Sequence, residues 1–190
     1  MSETGSAGWQ THDRVARSTG GMERNQTMIK IKAEKLTPEA FAPYGTYTNV
    51  LDPEGYHIGG EFHDFYRDQA KFYTDSALPI GLSPLTVRNH GYVVDGVEWH
   101  NHTCEGMMPV NDDAVMHVSL ASGDYDVTQT RAFIIPKGTL ITIFPAVYHL
   151  TPLPVHEKEL HALIMLPERC YVNDFLYKDL DEDSRFEIEL

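Results

Sequence analysis

Residues 131–149, with the sequence RAFIIPKGTLITIFPAVYH, decide the class of fold that this chain adopts. Two apolar runs rich in β-branched residues, 129–135 and 139–144, flank the turn signal Pro136-Lys137-Gly138. Apolar runs of this length with Gly and Pro between them are typical of short β-strands. The stretch therefore predicts two strands joined by a tight turn, and a later strand that ends in His149.

The same pattern recurs through the second half of the chain. Clusters of Asn, Asp, Ser and Gly separate the apolar runs, as expected for turns between strands. Many short strands at close spacing predict a sandwich or a closed barrel. The further strand-like runs are residues 86–94, 114–120 and 160–166.

The two ends of the chain differ from this core. Residues 1–27 are rich in small and polar residues without an apolar period, so we predict a disordered tail, with Met28 as a possible natural start. Thr37 is a good helix N-cap and Pro38 suits the first turn, which predicts a short helix. We expect a single domain over residues 28–190, with a solvated acidic segment at 179–189.

Composition narrows the classes of function. The chain has 190 residues, enough for one domain of ordinary size, and a net charge of -13, which disfavours nucleic acid and anionic membranes as partners. It has two cysteines, no CxxC pair and no apolar run near the roughly 20 residues of a membrane helix. We therefore expect a cytoplasmic protein that acts on a small molecule.

The densest group of chemically active residues is the segment EWHNHTCE, which begins at Glu98. Side chains two apart on a strand point the same way, so Glu98, His100 and His102 are predicted to share a face. His100 and His102 could then chelate one cation, with His149 reaching them from a later strand. The same alternation counts against Glu105 as a ligand unless a bulge or turn follows His102. Such a donor set suits Zn, Mn, Fe, Co or Ni.

Other polar residues remain candidates for the same pocket. A metal-free polar pocket is the alternative interpretation of the histidines. His117 and His161 each alternate with apolar residues, so either could line a barrel interior, with a structural role more common than ligation. Arg88 lies in a strand-like run, where an inward guanidinium needs a partner such as an anion in the pocket.

The HxH pair, with a histidine on a later strand among short strands, resembles the cupin barrel. Two residues separate His102 from Glu105, where the usual first cupin motif has three or four. Pro145 to His149 is one residue shorter than the usual PxGxxH motif and lacks its glycine.

A closer resemblance is to the ureidoglycolate lyase family, which is itself cupin-like. Residues 36–45, LTPEAFAPYG, are similar to its N-terminal LxxEAFxxYG pattern, and the similarity in order and spacing extends over about residues 35–176. His102 and Glu105 depart from the family, where we expect an apolar residue and Gln. Shorter matches are Glu98-x-His100, Met107 to Val110, Arg131-Ala132-Phe133-Ile134 and Val147-Tyr148-His149.

This resemblance implies both a fold and an activity. The fold would be mainly β, a cupin-type (RmlC-like) β-barrel with short flanking helices, forming a homodimer. The activity would be that of a lyase that cleaves ureidoglycolate or a related small hydroxy acid to glyoxylate and urea, as in purine breakdown.

The resemblance also suggests roles for individual residues. A divalent metal ion would be held by His100, His102 and His149, with Glu105 as a further ligand, and Glu98 or Glu105 would move the proton. A metal-dependent isomerase or epimerase of a sugar or sugar acid is the second interpretation, and a non-catalytic cupin that binds a small acid is the third. The predicted substrate-binding residues are Arg88, Tyr148 and His161.

Overall fold

Short strands dominate the part of the chain that the structure, a computed structural model, describes, which is residues 28–121 and 123–190. The predicted tail at residues 1–27, and with it the question of the natural start, lies outside the described residues. No helix in the described ranges is both long and apolar enough to cross a membrane.

The secondary-structure elements have the following bounds. The first eight strands are β1 (Ile29–Lys35), β2 (Gly45–Asn49), β3 (Ile58–Gly59), β4 (Asp64–Phe65), β5 (Ile80–Arg88), β6 (Val93–Val94), β7 (Gly96–Trp99) and β8 (Glu105–Pro109). The others are β9 (Ala114–Leu120), β10 (Arg131–Ile135), β11 (Thr139–Ile143), β12 (Val147–His149), β13 (Leu153–Pro154), β14 (Glu159–Pro167), β15 (Leu176–Asp179) and β16 (Phe186–Glu189). The helices are α1 (Pro38–Phe41) and α2 (Cys170–Asn173), with 3-10 turns at Val127–Gln129 and Glu182–Ser184.

The strands form two principal sheets that share one hydrophobic core. The larger has the order β15-β7-β12-β9-β10-β1-β16-β6, with β13 beside β9, and the smaller has the order β2-β11-β8-β14-β5. Each sheet contains a set of four strands, β7-β12-β9-β10 in the larger and β11-β8-β14-β5 in the smaller. The chain passes several times from one set to the other, which is a jelly-roll arrangement. The predicted mainly β, cupin-type barrel with short flanking helices is confirmed.

The turn in the opening stretch of sequence carries the chain between the sheets. The Thr139 N–H donates to the Pro136 carbonyl at 2.9 Å, and Gly138 has a φ of 77°, which favours glycine. Before this turn β10 pairs with β9, and after it β11 pairs with β2 and β8. The predicted strands and turn are therefore confirmed, and the two strands belong to different sheets.

The N-terminal helix is a single turn with a capped start and one buried aromatic residue. The Thr37 hydroxyl accepts a hydrogen bond from the Ala40 N–H at 3.2 Å, as its predicted cap position requires. Phe41 is buried and packs edge-on against Phe133, with ring centroids 5.6 Å apart. This contact joins α1 to the larger sheet.

The acidic C-terminal segment ends in a strand, and the prediction of a solvated segment over residues 179–189 is wrong for residues 186–189. β16 pairs in parallel with the first half of β1 and buries Phe186 and Ile188. The acidic residues alternate with these apolar residues and face outward, where Glu189 lies 2.7 Å from the Lys30 ammonium. The alternation, which the acidic composition obscured, is that of a half-buried strand.

Candidate metal centre

Three buried side chains from distant parts of the chain converge on one point. The Nε2 atoms of His100 and His149 lie 3.0 Å and 3.1 Å from the same Oε2 atom of Glu105. One possible ligand atom from each residue lies within 4.8 Å of the others, and all three residues are buried. The predicted convergence of the imidazoles near positions 100 and 150 is present in the structure.

The strand pairing explains this convergence. His149 on β12 is directly opposite Glu98 on β7, and residues paired in this way point to the same face of a sheet. His100 follows β7 two positions after Glu98 and shares that face. Glu105 begins β8 in the other sheet, so the cluster lies between the two sheets.

A tight turn immediately after His100 takes His102 out of this cluster. The Asp174 carboxylate accepts hydrogen bonds from the backbone N–H groups of Asn101 and His102, both at 2.8 Å. The His102 side chain is 63% exposed, and its Nδ1 lies 2.8 Å from the Asp75 carboxylate. The alternation argument for His102 is wrong here, because the turn comes before His102 and not after it. The same turn brings Glu105 back to the cluster.

Backbone carbonyls fix the orientation of both clustered imidazoles. The Nδ1 atom of His100 lies 2.6 Å from the Asp174 carbonyl, and the Nδ1 atom of His149 lies 2.8 Å from the Val147 carbonyl. A carbonyl can only accept, so we assign an N–H to each Nδ1. In the neutral rings the lone pairs of both Nε2 atoms then point toward Glu105, as in metal-binding histidines.

Mutual electrostatics hold the cluster in its charged form. Burial would raise the pKa of Glu105, but the two facing imidazoles outweigh it and lower that pKa to about 2. Burial would likewise lower the pKa of each imidazole, but Glu105 outweighs it and raises the pKa of His100 and of His149. The protons of this cluster therefore lie between the two imidazole nitrogens and the Glu105 carboxylate, in the space that a metal cation could fill in their place.

A second carboxylate, that of Glu98, lies beside the cluster in a different environment. Its side chain is 16% exposed, and its Oε1 lies 4.0 Å from the Nε2 of His149. Burial is the main cause that raises the pKa of Glu98, and the charge of Glu105 adds to it. The two carboxyl groups thus differ, because the environment favours ionisation of Glu105 and opposes that of Glu98.

Both carboxylates line a cavity of about 710 Å³. The other walls are aromatic and aliphatic, apart from one threonine. Within the described ranges, the lining comprises Leu85, Glu98, Glu105, Leu150, Thr151, Pro152, Ile164, Tyr171, Phe175 and Tyr177.

The three predicted substrate-binding residues lie outside this cavity lining. Arg88 ends the outermost strand β5, is 81% exposed and lies 3.4 Å from the Glu159 carboxylate, because an edge strand leaves its end in solvent. Tyr148 faces away from its neighbour His149, by strand alternation, and its hydroxyl donates to the Gly123 carbonyl at 3.2 Å. His161 is on the exposed face of β14.

His117 is buried on β9 but does not belong to the cluster. It is paired with Ala132, while its neighbour Val118 is paired with His149, so His117 points to the opposite face of the sheet. Its ring packs edge-on against Phe186 at 5.3 Å, and burial lowers the pKa of its imidazole to about 3. These contacts agree with the structural role that its position on a strand suggested.

Two parts of the site were not predicted from the sequence, namely Asp174 and the aromatic wall formed by Tyr171, Phe175 and Tyr177. Asp174 acts partly through its backbone carbonyl, which no residue pattern reveals. The aromatic residues lie in a short stretch around α2, where spacing alone gives no sign that they face a cavity. Three aromatic residues within residues 171–177 are the available signal.

The donor set of the cluster fits a divalent transition metal. Two imidazoles and one carboxylate are the ligands of many Mn, Fe, Co, Ni and Zn sites, and the second nitrogen of each ring is already oriented. A second possible group, His100 with Cys170 and Asp174, fits less well. There the His100 Nδ1 is engaged by the Asp174 carbonyl, and burial raises the pKa of the Cys170 thiol to about 12.

Comparisons with known proteins give a family and a relative. The model of the family described as "Domain of unknown function (DUF4867)" matches residues 64–186. A ureidoglycolate lyase of Rhodobacter capsulatus is 26% identical over 141 residues, which cover 72% of this chain and 86% of the relative. The predicted resemblance to ureidoglycolate lyases is confirmed.

Two solved structures are also similar to this chain. A mutant of Bacillus subtilis oxalate decarboxylase is 18% identical, with a TM-score of 0.40, over 57% of this chain and 27% of the decarboxylase. RmlC from Streptococcus suis is 11% identical, with a TM-score of 0.36, over 47% of this chain and 44% of RmlC. The chain thus spans about a quarter of the length of the decarboxylase.

Proposed function

We propose that this chain, which belongs to the DUF4867 family, is a metal-dependent enzyme of the cupin superfamily that moves a proton on a small hydroxylated substrate. One observation carries the proposal. The buried cluster of His100, Glu105 and His149 adjoins a second, differently poised carboxylate, Glu98, at the wall of a cavity large enough for a small molecule.

The cluster residues would hold the cation. Two imidazole nitrogens and the Glu105 carboxylate would bind a divalent ion, which polarises substrate oxygens when bound. The carbonyls of Asp174 and Val147 keep both rings oriented, so little reorganisation is needed on binding. Burial of all three ligands excludes competing water.

Glu98 would transfer the proton. It lines the cavity, and within the described ranges its carboxylate accepts no hydrogen bond, so it is free to contact a substrate. A carboxyl group whose pKa is raised by burial can accept a proton and return it near neutral pH, whereas Glu105 stays ionised as a ligand. This assignment gives the two carboxylates distinct tasks.

The first candidate reaction is that of the lyase relative. In ureidoglycolate, Glu98 would take the proton of the hydroxyl group, the carbon–oxygen double bond would form and the carbon–nitrogen bond would break. The departing nitrogen would take the electron pair and a proton, which gives glyoxylate and urea. The 26% identity over 86% of the relative supports this candidate.

The second candidate is isomerisation or epimerisation of a sugar. In isomerisation, Glu98 would move a proton from one carbon to the neighbouring carbon, while a hydroxyl proton passes to the former carbonyl oxygen. In epimerisation, Glu98 would remove a proton from one face of a carbon and water would return one to the opposite face. A specific observation favours this candidate, because the cavity has an aromatic wall and no Lys or Arg among its described lining residues. The carboxylate of ureidoglycolate would have no basic side chain to bind there.

Metal content and turnover test the proposal together. Protein purified without chelator or nickel affinity should hold about one ion per chain, and a His100→Ala, His149→Ala double variant should hold none. His102→Ala is the matched control, because His102 is exposed outside the cluster and its loss should leave metal content unchanged. A metal-free wild type, or metal retained by the double variant, would refute the proposal.

Activity then separates the two reactions. Urea release from ureidoglycolate supports the lyase, and incorporation of solvent deuterium into a sugar supports the isomerase. Glu98→Gln should keep the metal but lose roughly 10²- to 10⁴-fold in rate with the active substrate, as expected for a group that transfers a proton. Unchanged turnover in this variant would remove Glu98 from the mechanism.

A further inference from the structure

All the charged residues in the described cavity wall are acidic. Glu98 and Glu105 are the charged groups among its described lining residues. Basic side chains on the strands that border the cavity are engaged elsewhere. Arg88 lies 3.4 Å from Glu159, and Lys178, next to the lining residue Tyr177, lies 3.7 Å from Asp124.

The second property of the cavity wall is its aromatic surface. Tyr171 and Phe175 lie with ring centroids 5.6 Å apart, and Tyr177 is paired with Glu98 across β15 and β7. The Tyr177 ring lies over Gly96, where a Cβ atom would be 2.0 Å from its hydroxyl oxygen. Glycine at this position therefore lets the ring lie flat against β7, beside the proposed proton-transfer residue.

These two properties select between chemical classes of substrate. A divalent cation bound at the cluster is offset by the two carboxylates of Glu105 and Glu98, and the described lining has no Lys or Arg to balance the charge of a substrate carboxylate. Ionised carboxylates only accept hydrogen bonds, so they bind hydroxyl groups well. Aromatic rings offer flat apolar surfaces for the C–H faces of a sugar. A neutral compound with several hydroxyl groups satisfies all three conditions.

We propose that the substrate is a neutral polyhydroxylated compound of monosaccharide size and not a carboxylic acid. The inference rests on the proposed function, since it concerns the same cavity and the same carboxylates. The volume of about 710 Å³ is within the usual range for small-molecule sites. The substrate would lie with its C–H face on the aromatic wall and its hydroxyl groups toward Glu98 and Glu105.

Matched ligand pairs test the inference on the full-length, metal-loaded protein. D-ribose with D-ribonate, and D-glucose with D-gluconate, keep the carbon chain and differ in charge. Ureidoglycolate joins the acids. Titration calorimetry should give at least tenfold tighter binding for a sugar than for its acid. Glu98→Gln should narrow this ratio by tightening the binding of the acid.

A second variant tests the aromatic wall without touching the cluster. Tyr177→Ala should weaken sugar binding about tenfold while metal content stays at the wild-type level. Tyr56→Ala is the matched control, because Tyr56 is an exposed aromatic residue outside the cavity lining. Equal losses in both variants would contradict the proposed stacking surface.

The outcomes separate this inference from the proposed function. Acids that bind as tightly as their sugars, or a metal-loaded protein that binds none of the sugars, would overturn the substrate class and leave the metal centre standing. A wild-type protein without metal would overturn the proposed function, whatever ligand it binds.

Discussion

Replacing Glu105 with glutamine removes the one negative charge that both clustered imidazoles face at hydrogen-bond distance. The pKa of Glu105 is lowered from 4.5 to about 2 in the folded protein. Each tenfold change in ionisation corresponds to about 1.4 kcal/mol, so the folded environment stabilises this carboxylate by about 3 kcal/mol. We expect Glu105→Gln to lower the free energy of unfolding of the metal-free protein by about this amount.

The effect should depend on pH in a defined way. The folded pKa of Glu105 is below the unfolded value, so its stabilisation is fully present above pH 4.5 and is lost as the pH falls toward 2. The pKa values of His100 and His149 are raised above 6.5, so their contribution is present below pH 6.5 and is lost as the pH rises through the folded values. The difference between wild type and variant should therefore be largest between pH 4.5 and 6.5.

Urea unfolding at several pH values, with a chelator present, measures this difference. Fluorescence of Trp99, the neighbour of His100, reports on the region directly. Glu98→Gln is the matched control, because burial raises the pKa of Glu98 and neutralising that carboxylate should not lower stability at pH 7. Equal stability of Glu105→Gln and wild type between pH 4.5 and 6.5, or an equal loss in both variants, would refute the electrostatic reasoning.

Three further substitutions probe the supports of the barrel and of the site. Asp174→Ala should weaken metal binding roughly 10- to 100-fold, because it frees the turn after His100, and titration with Zn²⁺ or Mn²⁺ measures this; unchanged affinity would contradict it. Asp112→Asn should cost about 1–3 kcal/mol in urea unfolding, since the buried carboxylate accepts four backbone N–H groups; no loss would show that these bonds contribute little. Ala146→Gly should raise the melting temperature, with a gain of about 0.5–1 kcal/mol, because Ala146 has a φ of 63°, and a lower melting temperature would exclude strain there.

The fold was largely predictable, because strand alternation and turn chemistry are local properties. The turn at Gly138 and the apolar runs around it gave two strands of the barrel and led to His149. The C-terminal strand shows where composition misled, since its acidic residues masked the buried Phe186 and Ile188. The assignment of strands to two sheets depends on contacts between distant segments, which the residue pattern does not contain.

The candidate site was predictable in part, and the missing part is long-range. The convergence of His100 and His149 followed from strand parity and a barrel. The position of His102 did not, because the turn that displaces it is held by Asp174, over seventy residues later in the chain. Arg88 was expected in a pocket from its strand-like surroundings, but β5 is an outermost strand and leaves its end in solvent.

The double role of Asp174 makes the centre sensitive to events at the end of the barrel. Its carboxylate closes the turn between the sheets and its carbonyl orients His100, while its own N–H donates to the Cys170 carbonyl at the end of α2. Loosening α2 would thus let one imidazole rotate before any barrel strand separates. A ligand, a partner or a truncation that disturbs this single helical turn would therefore weaken metal binding at His100 while the strands of the barrel remain folded.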